Sequence, residues 1–194
     1  MSSRDTLLAT LRSQSVPEVP LPSLIAEWIR YPDPSEQFRV ALGQAAGSVV
    51  SVGVSGGLPQ LVLELEAVRS AAKVCSLVSS VAGNCDIPAA AHAFADVDVL
   101  IVAAEFGVAE NGAVWIDGAA APVRSALFLA QHLVVLLPHG EIVDNLHQAY
   151  ERIGSRLAER SYGCFMSGPS KTADIEQALV VGAHGARSLT VVLY

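Results

Sequence analysis

Val97-Asp-Val-Leu-Ile-Val-Ala-Ala104 is apolar at every position but one, and Leu133-Val-Val-Leu-Leu137 is apolar throughout. Runs this short match buried strands and fall far below the length of a bilayer span. A strand with one face in water alternates apolar and polar residues; near-continuous runs imply that both faces are covered. Similar runs at Val49–Val54, Val74–Val81, Val114–Ile116, Tyr162–Met166 and Leu189–Leu193 complete the strand set. Between them the period changes to that of helices. Ser35 can cap a helix to about Ala46, and Leu61, Leu65 and Val68 form one face of a helix over Leu58–Arg69. Glu141–Arg160 carries an apolar stripe of Ile142, Leu146, Ala149, Tyr150, Ile153 and Leu157, and Thr172–Val181 closes the helical set. The alternation predicts an α/β fold, a mostly parallel sheet with helices on both faces.

The first 34 residues do not join this pattern. Leu7, Leu8 and Leu11 share one face of a short helix over residues 1–13, after which three prolines in Val16–Pro22 and two in Pro32–Pro34 break regular structure. We read 1–34 as a helical arm with a Pro-rich linker and 35–194 as the α/β domain. Trp28 and Tyr31 would pack on the same domain or on a second copy, the latter making a homo-oligomer.

A net charge of -7 and the absence of a Lys/Arg run argue against nucleic acid as a partner. No apolar stretch is long enough to cross a membrane, and Met1-Ser-Ser-Arg-Asp5 lacks the apolar core of a signal peptide, so a cytoplasmic location is expected. Cys75, Cys85 and Cys164 are sparse and show no CxxC spacing, which speaks against a disulfide scaffold, a zinc site or an iron–sulfur cluster. Small buried hydrophobes are the expectation for them. The five histidines form no HxH or HExxH pattern, so no metal site is expected.

Ligands in such folds collect beyond the carboxyl ends of the strands, where helix N-termini point. Four segments stand out on that basis. Ser167-Gly-Pro-Ser-Lys-Thr-Ala-Asp-Ile-Glu176 follows a strand and opens the expected Thr172–Val181 helix. Gly168 permits a sharp turn, Ser170 or Thr172 can cap, and Lys171 beside the exposed N–H groups would make an anion cradle. An ordinary capped helix, with Asp174 and Glu176 favouring its dipole, accounts for the same residues. Ala104-Glu-Phe-Gly-Val-Ala-Glu-Asn-Gly112 places Glu105 and Glu110 around two glycines. In a dry pocket Glu110 would become a base, acid or nucleophile, whereas a hairpin turn at Asn111-Gly112 needs no chemistry. His139 in Pro138-His-Gly140 stands at a strand end, suited to acid–base work or to a plain loop. Gly182-Ala-His-Gly-Ala-Arg187 would end the last helix, with His184 near its negative pole. Gly53-Val-Ser-Gly-Gly57 lacks the GxGxxG spacing and reads as a tight turn.

In this order the segments resemble a known family. Ser167–Glu176 followed by Leu179-Val-Val-Gly-Ala-His-Gly-Ala-Arg187 is similar to the C-terminal signature of the LUD domain, Ser-Gly-Pro-Ser-x-Thr-Ala-Asp-Ile-Glu and then Val-x-Gly-x-His-Gly. Ala104–Gly112 resembles its Ala-Glu-x-Gly-x-Ala-Glu-Thr-Gly segment, and Leu136–His139 its Leu-Leu-Pro-x-x-His stretch. Asn111, Lys171 and Ala186 stand where the family has Thr, Arg and Pro, and His139 lies closer to its proline. The resemblance runs from Val97 to Leu193. It implies a fold like the NagB/RpiA/CoA-transferase group and a role, similar to lactate utilization protein C, in oxidising lactate to pyruvate alongside separate iron–sulfur proteins. The clusters would then belong to the partners and no cofactor to this chain. Under that reading the chain is an accessory subunit in which Glu110, Asn111, Gly112, Ser167, Gly168, Ser170, Lys171, Thr172 and His184 line a pocket for a small carboxylate or other anion. Ala109-Glu-Asn-Gly112 also resembles the Ser-Glu-Asn-Gly of class I CoA-transferases, which would make Glu110 the nucleophile of an acyl- or CoA-transferring enzyme.

Overall fold

The computed structural model describes residues 2–14, 19–20, 26–53, 57–118, 121–154, 162–172 and 180–194, the side chains of 121–123 excepted. Its helices are α1 (Ser3–Ser13), α2 (Pro34–Gln44), α3 (Leu58–Glu64), α4 (Glu66–Arg69), α5 (Ala121–Leu129) and α6 (Leu146–Ile153). The strands are β1 (Ser48–Ser51), β2 (Val74–Ser76), β3 (Val99–Ala103), β4 (Phe106–Val108), β5 (Ala113–Asp117), β6 (His132–Leu137), β7 (Ile142–Val143), β8 (Gly163–Met166), β9 (Lys171–Thr172), β10 (Val180–Val181) and β11 (Ser188–Leu193).

The central sheet has the order β1-β11-β6-β3-β2 and every pairing in it is parallel. Register puts Leu133 beside both Leu100 and Leu189. Leu100, Val102, Leu133, Val135, Leu189 and Val191 therefore face one core, closed by Phe38 and Leu42 of α2 and Leu127 of α5. Val99, Ile101, Val134, Leu136 and Val192 face the other, closed by Val62 of α3 and Val68 of α4. Coverage of both faces is why β3 and β6 read as unbroken apolar runs.

A second sheet, β7-β4-β5-β8, lies over the α2 side of the first, its Val114 and Ile116 joining that core. Its outer face carries Phe106, Val108 and Trp115, covered by Ala149 and Ile153 of α6. This sheet was not expected, because β4 is a three-residue strand inside what reads as a linker and β7 has two residues. Ile142 and Val143 pair with β4, so the helix expected from Glu141 begins only at Leu146, where the Asn145 side chain caps the Gln148 N–H. The expected helix over Leu58–Arg69 is broken at Leu65, whose backbone is extended. Asp33, not Ser35, caps α2. The end of the expected Val74–Val81 strand turns away after Ser76, whose hydroxyl is bonded to the backbone of Val78.

The expected helix over Thr172–Val181 is corrected at both ends. Lys171–Thr172 pairs antiparallel with Val180–Val181 as a two-stranded ribbon, an arrangement suited to β-branched residues. Residues 173–179 lie outside the described residues.

The arm is helical at Ser3–Ser13, with a capping box between Ser2 and Asp5, and buries none of its side chains. The following segment packs on the same chain. Trp28 stacks on His147 with ring centroids 3.4 Å apart, Tyr31 N–H donates to Asp144 Oδ1, and Asn145 Nδ2 donates to Ile29 C=O.

Candidate functional site

The β4–β5 turn, the stretch after β8 and the stretch before β11 come together around the C-terminal half of α2. Ser167 Oγ donates to the Asn111 carbonyl at 2.8 Å, which ties the first two segments. Ser170 N–H donates to the Ala186 carbonyl at 2.8 Å and Gly182 N–H to the Ser170 carbonyl, which ties the second to the third. Gly112 and Gly168 both have positive φ, 64° and 73°. A side chain on Gly112 would strike the backbone of Leu42, and one on Gly168 the carbonyl of Ala45. Both motif glycines thus let loops lie against α2, a packing role that sequence alone does not reveal.

Beside this junction is an open cleft of about 240 Å³. Phe128 of α5 with Cys164 and Met166 of β8 gives it an apolar wall, and Ser167, Ser170 and His184 give it polar groups. A neighbouring cleft of about 320 Å³, on the other side of His184 and Gly185, is lined by Gln131 and Arg187. Burial pushes the Cys164 thiol up, against a smaller opposing hydrogen bond from Tyr162, so it stays protonated near neutral pH. Hydroxyls, an imidazole and a nearby guanidinium over an apolar wall can hold a small polar or anionic molecule by hydrogen bonds.

The clefts sit at the amino end of the central sheet, since Gln131 leads into β6 and Arg187 into β11. That reverses the expectation that all four segments gather at the carboxyl ends. Glu105 and His139 do lie there, after β3 and β6, and are not brought to the Ser170 cleft. Glu105 N–H donates to the Trp115 carbonyl, and exposed His139 bonds through its N–H to the Tyr194 carbonyl. Glu110 is exposed and not in a dry pocket; its Oε2 accepts from Leu146 N–H at 2.9 Å, at the first turn of α6. Asn111 and Gly112 form the hairpin turn, with Asn111 Oδ1 accepting from Ala113 N–H. Lys171 is exposed on β9, and Thr172 sits in a strand instead of capping a helix. His184 is exposed in the bend between β10 and β11.

Phe128, Cys164 and Met166 were not singled out from the sequence. The signal for Phe128 was present: Ala121-Pro-Val-Arg-Ser-Ala-Leu-Phe-Leu129 has proline in the first turn and helix formers after it. For Cys164 and Met166, only the pairing of β8 with β5 fixes which face they take.

Similarity to known proteins follows the same segments. The sequence profile of the LUD domain matches residues 45–194.

The chain belongs to the LUD domain family.

The LUD domain here is 36% identical over 91 residues to lactate utilization protein C of Shouchella clausii and 35% identical over 92 residues to that of Halalkalibacterium halodurans. Each match covers 45% of this chain and only 40% of the relative, so the matched stretch is less than half of those proteins. A longer match, 26% identical over 155 residues, covers 79% of this chain and 65% of lactate utilization protein C of Deinococcus radiodurans. Among solved structures, a DUF162 family protein from Deinococcus radiodurans matches with a TM-score of 0.62 at 15% identity, over 82% of this chain and 95% of that one. This likeness shows that the LUD domain has the same fold. Among the described residues no cluster of three His, Cys, Asp or Glu could hold a metal ion, and no helix is long and apolar enough to cross a membrane.

Proposed function

We propose that this LUD-domain protein takes part in lactate utilisation, as a ligand-binding accessory subunit of a cytoplasmic system that oxidises lactate to pyruvate. Separate iron–sulfur proteins would be its partners and carry the electrons. The observation that carries the reading is the junction of Ser167–Ser170 with His184–Ala186 at one cleft, held by the Ser170-to-Ala186 hydrogen bond. These are the segments that resemble the family signature, and several of the relatives that match the chain are named for lactate utilisation. A small carboxylate suits the cleft: the Ser170 hydroxyl can donate to its oxygens, His184 adds a donor, and Phe128 and Met166 can take an apolar methyl.

A thermal-shift series with lactate, pyruvate, phosphate, coenzyme A and acyl-CoAs tests the reading on wild type, Ser170→Ala and His184→Ala. A ligand at a hundred times its Kd stabilises by about 2.7 kcal/mol, well within reach of the method. The expected result is stabilisation by lactate or pyruvate that both substitutions weaken, with lactate turnover only after iron–sulfur partners are added. Lactate oxidation by the purified chain alone would sink the accessory role. The transferase alternative draws less support, because one carboxylate oxygen of Glu110 is already bonded to the α6 backbone. An acyl-CoA response abolished by Glu110→Gln would reverse that order.

A further inference from the structure

Cys75 and Cys85 are ten positions apart in sequence, yet both pack on the same core, Cys75 within β2 and Cys85 on a segment bonded to the neighbouring Val74. The placement is built by the backbone. Val74 N–H donates to Asn84 Oδ1 at 2.7 Å, Asn84 N–H donates back to the Val74 carbonyl at 2.9 Å, and Asn84 Nδ2 donates to the Ala72 carbonyl at 3.1 Å. Cys85 Sγ also donates to the Val74 carbonyl, at 3.4 Å. Residues 84–85 are thereby clamped along β2, the edge strand of the central sheet. The two thiols differ in access. Cys75 is fully buried, while Cys85 is only half-buried, between exposed Asn84 and exposed Asp86.

We propose that Cys75 and Cys85 form a peroxide-responsive dithiol, a modification site in which Cys85 is oxidised first and Cys75 resolves it. Hydrogen peroxide takes up the two electrons. The Cys85 thiol sulfur attacks a peroxide oxygen, the O–O bond breaks, and one water leaves as Cys85 becomes a sulfenic acid. The Cys75 sulfur then attacks Cys85 Sγ, the S–O bond breaks, and the hydroxyl leaves with the Cys75 proton as a second water, giving the disulfide. A cellular thiol reverses the step by exchange. Burial, the larger cause, together with Cys85 pushes the Cys75 thiol up, which keeps it from reacting with peroxide first. The disulfide staples residues 76–84 to the sheet edge. The site is independent of the lactate reading.

The test treats the reduced full-length chain with a small excess of hydrogen peroxide and maps its peptides without reduction. The expected product is a Cys75–Cys85 cross-linked peptide and an intact mass lower by about 2 Da, for the two thiol hydrogens, restored by dithiothreitol. Cys164, whose thiol donates to the Phe165 carbonyl, should remain alkylatable and serves as the internal control. In Cys75→Ala, dimedone should label Cys85. Should that variant not fold, the wild-type map decides by itself. Sulfinic acid on Cys85 with Cys75 still a thiol, a cross-link to Cys164, or three surviving thiols would each overturn the proposal.

Discussion

Glu110 accepts the N–H of Leu146, 36 positions further along the chain, at 2.9 Å. The first turn of α6 has no acidic residue of its own, so this carboxylate from the β4–β5 turn serves the positive end of that helix. One contact thus links a family-signature residue to the element covering the outer face of the second sheet.

Glu110→Ala removes both the acceptor and the charge and should lower stability by about 0.5–1.5 kcal/mol. Glu110→Gln keeps an acceptor oxygen and should cost less than half of that. Urea denaturation of the three proteins measures the difference. Two variants indistinguishable from wild type would mean that the carboxylate does not support α6.

The motif glycines should behave unlike an ordinary helix glycine. Gly112→Ala and Gly168→Ala each place a Cβ against α2 or its C-terminal cap at positive φ, and should cost about 2–4 kcal/mol. Gly43, in α2, has open space around its Cα, and Gly43→Ala should stabilise by about 0.5–1 kcal/mol. Thermal melts of the three variants should fall on opposite sides of wild type.

Asn145 is almost fully buried and bonds in two directions: its Oδ1 accepts from Gln148 N–H at 3.0 Å and its Nδ2 donates to the Ile29 carbonyl at 2.8 Å. Asn145→Ala should lose the helix cap and leave the Ile29 carbonyl without this donor, a cost of about 2–3 kcal/mol. The same substitution should speed protease cleavage before Tyr31. Unchanged cleavage would show that Trp28 stacking and the Tyr31–Asp144 bond hold the segment without Asn145.

Acid sensitivity should trace in part to Asp98. The Lys73 N–H, aided by the Ala72 N–H and by the nearby His132 and Lys73 charges, holds its carboxyl below the usual carboxylate range. A folded value below the unfolded one means that the contribution is present above the unfolded pKa of ~3.9 and is lost as pH falls through the folded pKa. Melting temperature against pH should therefore decline less steeply on the acid side in Asp98→Asn, from a lower value at neutral pH. Parallel acid limbs for the two proteins would contradict this.

The central sheet was readable because burial on both faces writes itself into composition: β3 and β6 pack against a core on each side and leave little room for polar residues. The second sheet was not. Strands of two or three residues, such as β7 and β4, hold no periodicity of their own and form because neighbours supply their hydrogen bonds. The ribbon of β9 and β10 escaped for the same reason, since Thr172 and Val180 look like helix termini until their pairing is known.

The sequence by itself determined the α/β class, the parallel core and the family, since each rests on residue types in chain order. Tertiary structure alone decided which motif residues meet. Ser167 and Ser170 reach Asn111 and Ala186 because α2 admits two glycine turns, while Glu105 and His139 stay at the opposite end of the sheet. It also laid Cys85 along β2, which holds Cys75, across a loop that cysteine spacing leaves silent. Local sequence sets the conformations a segment can adopt. Distances between segments are set by how the whole core closes, and chemistry depends on those distances.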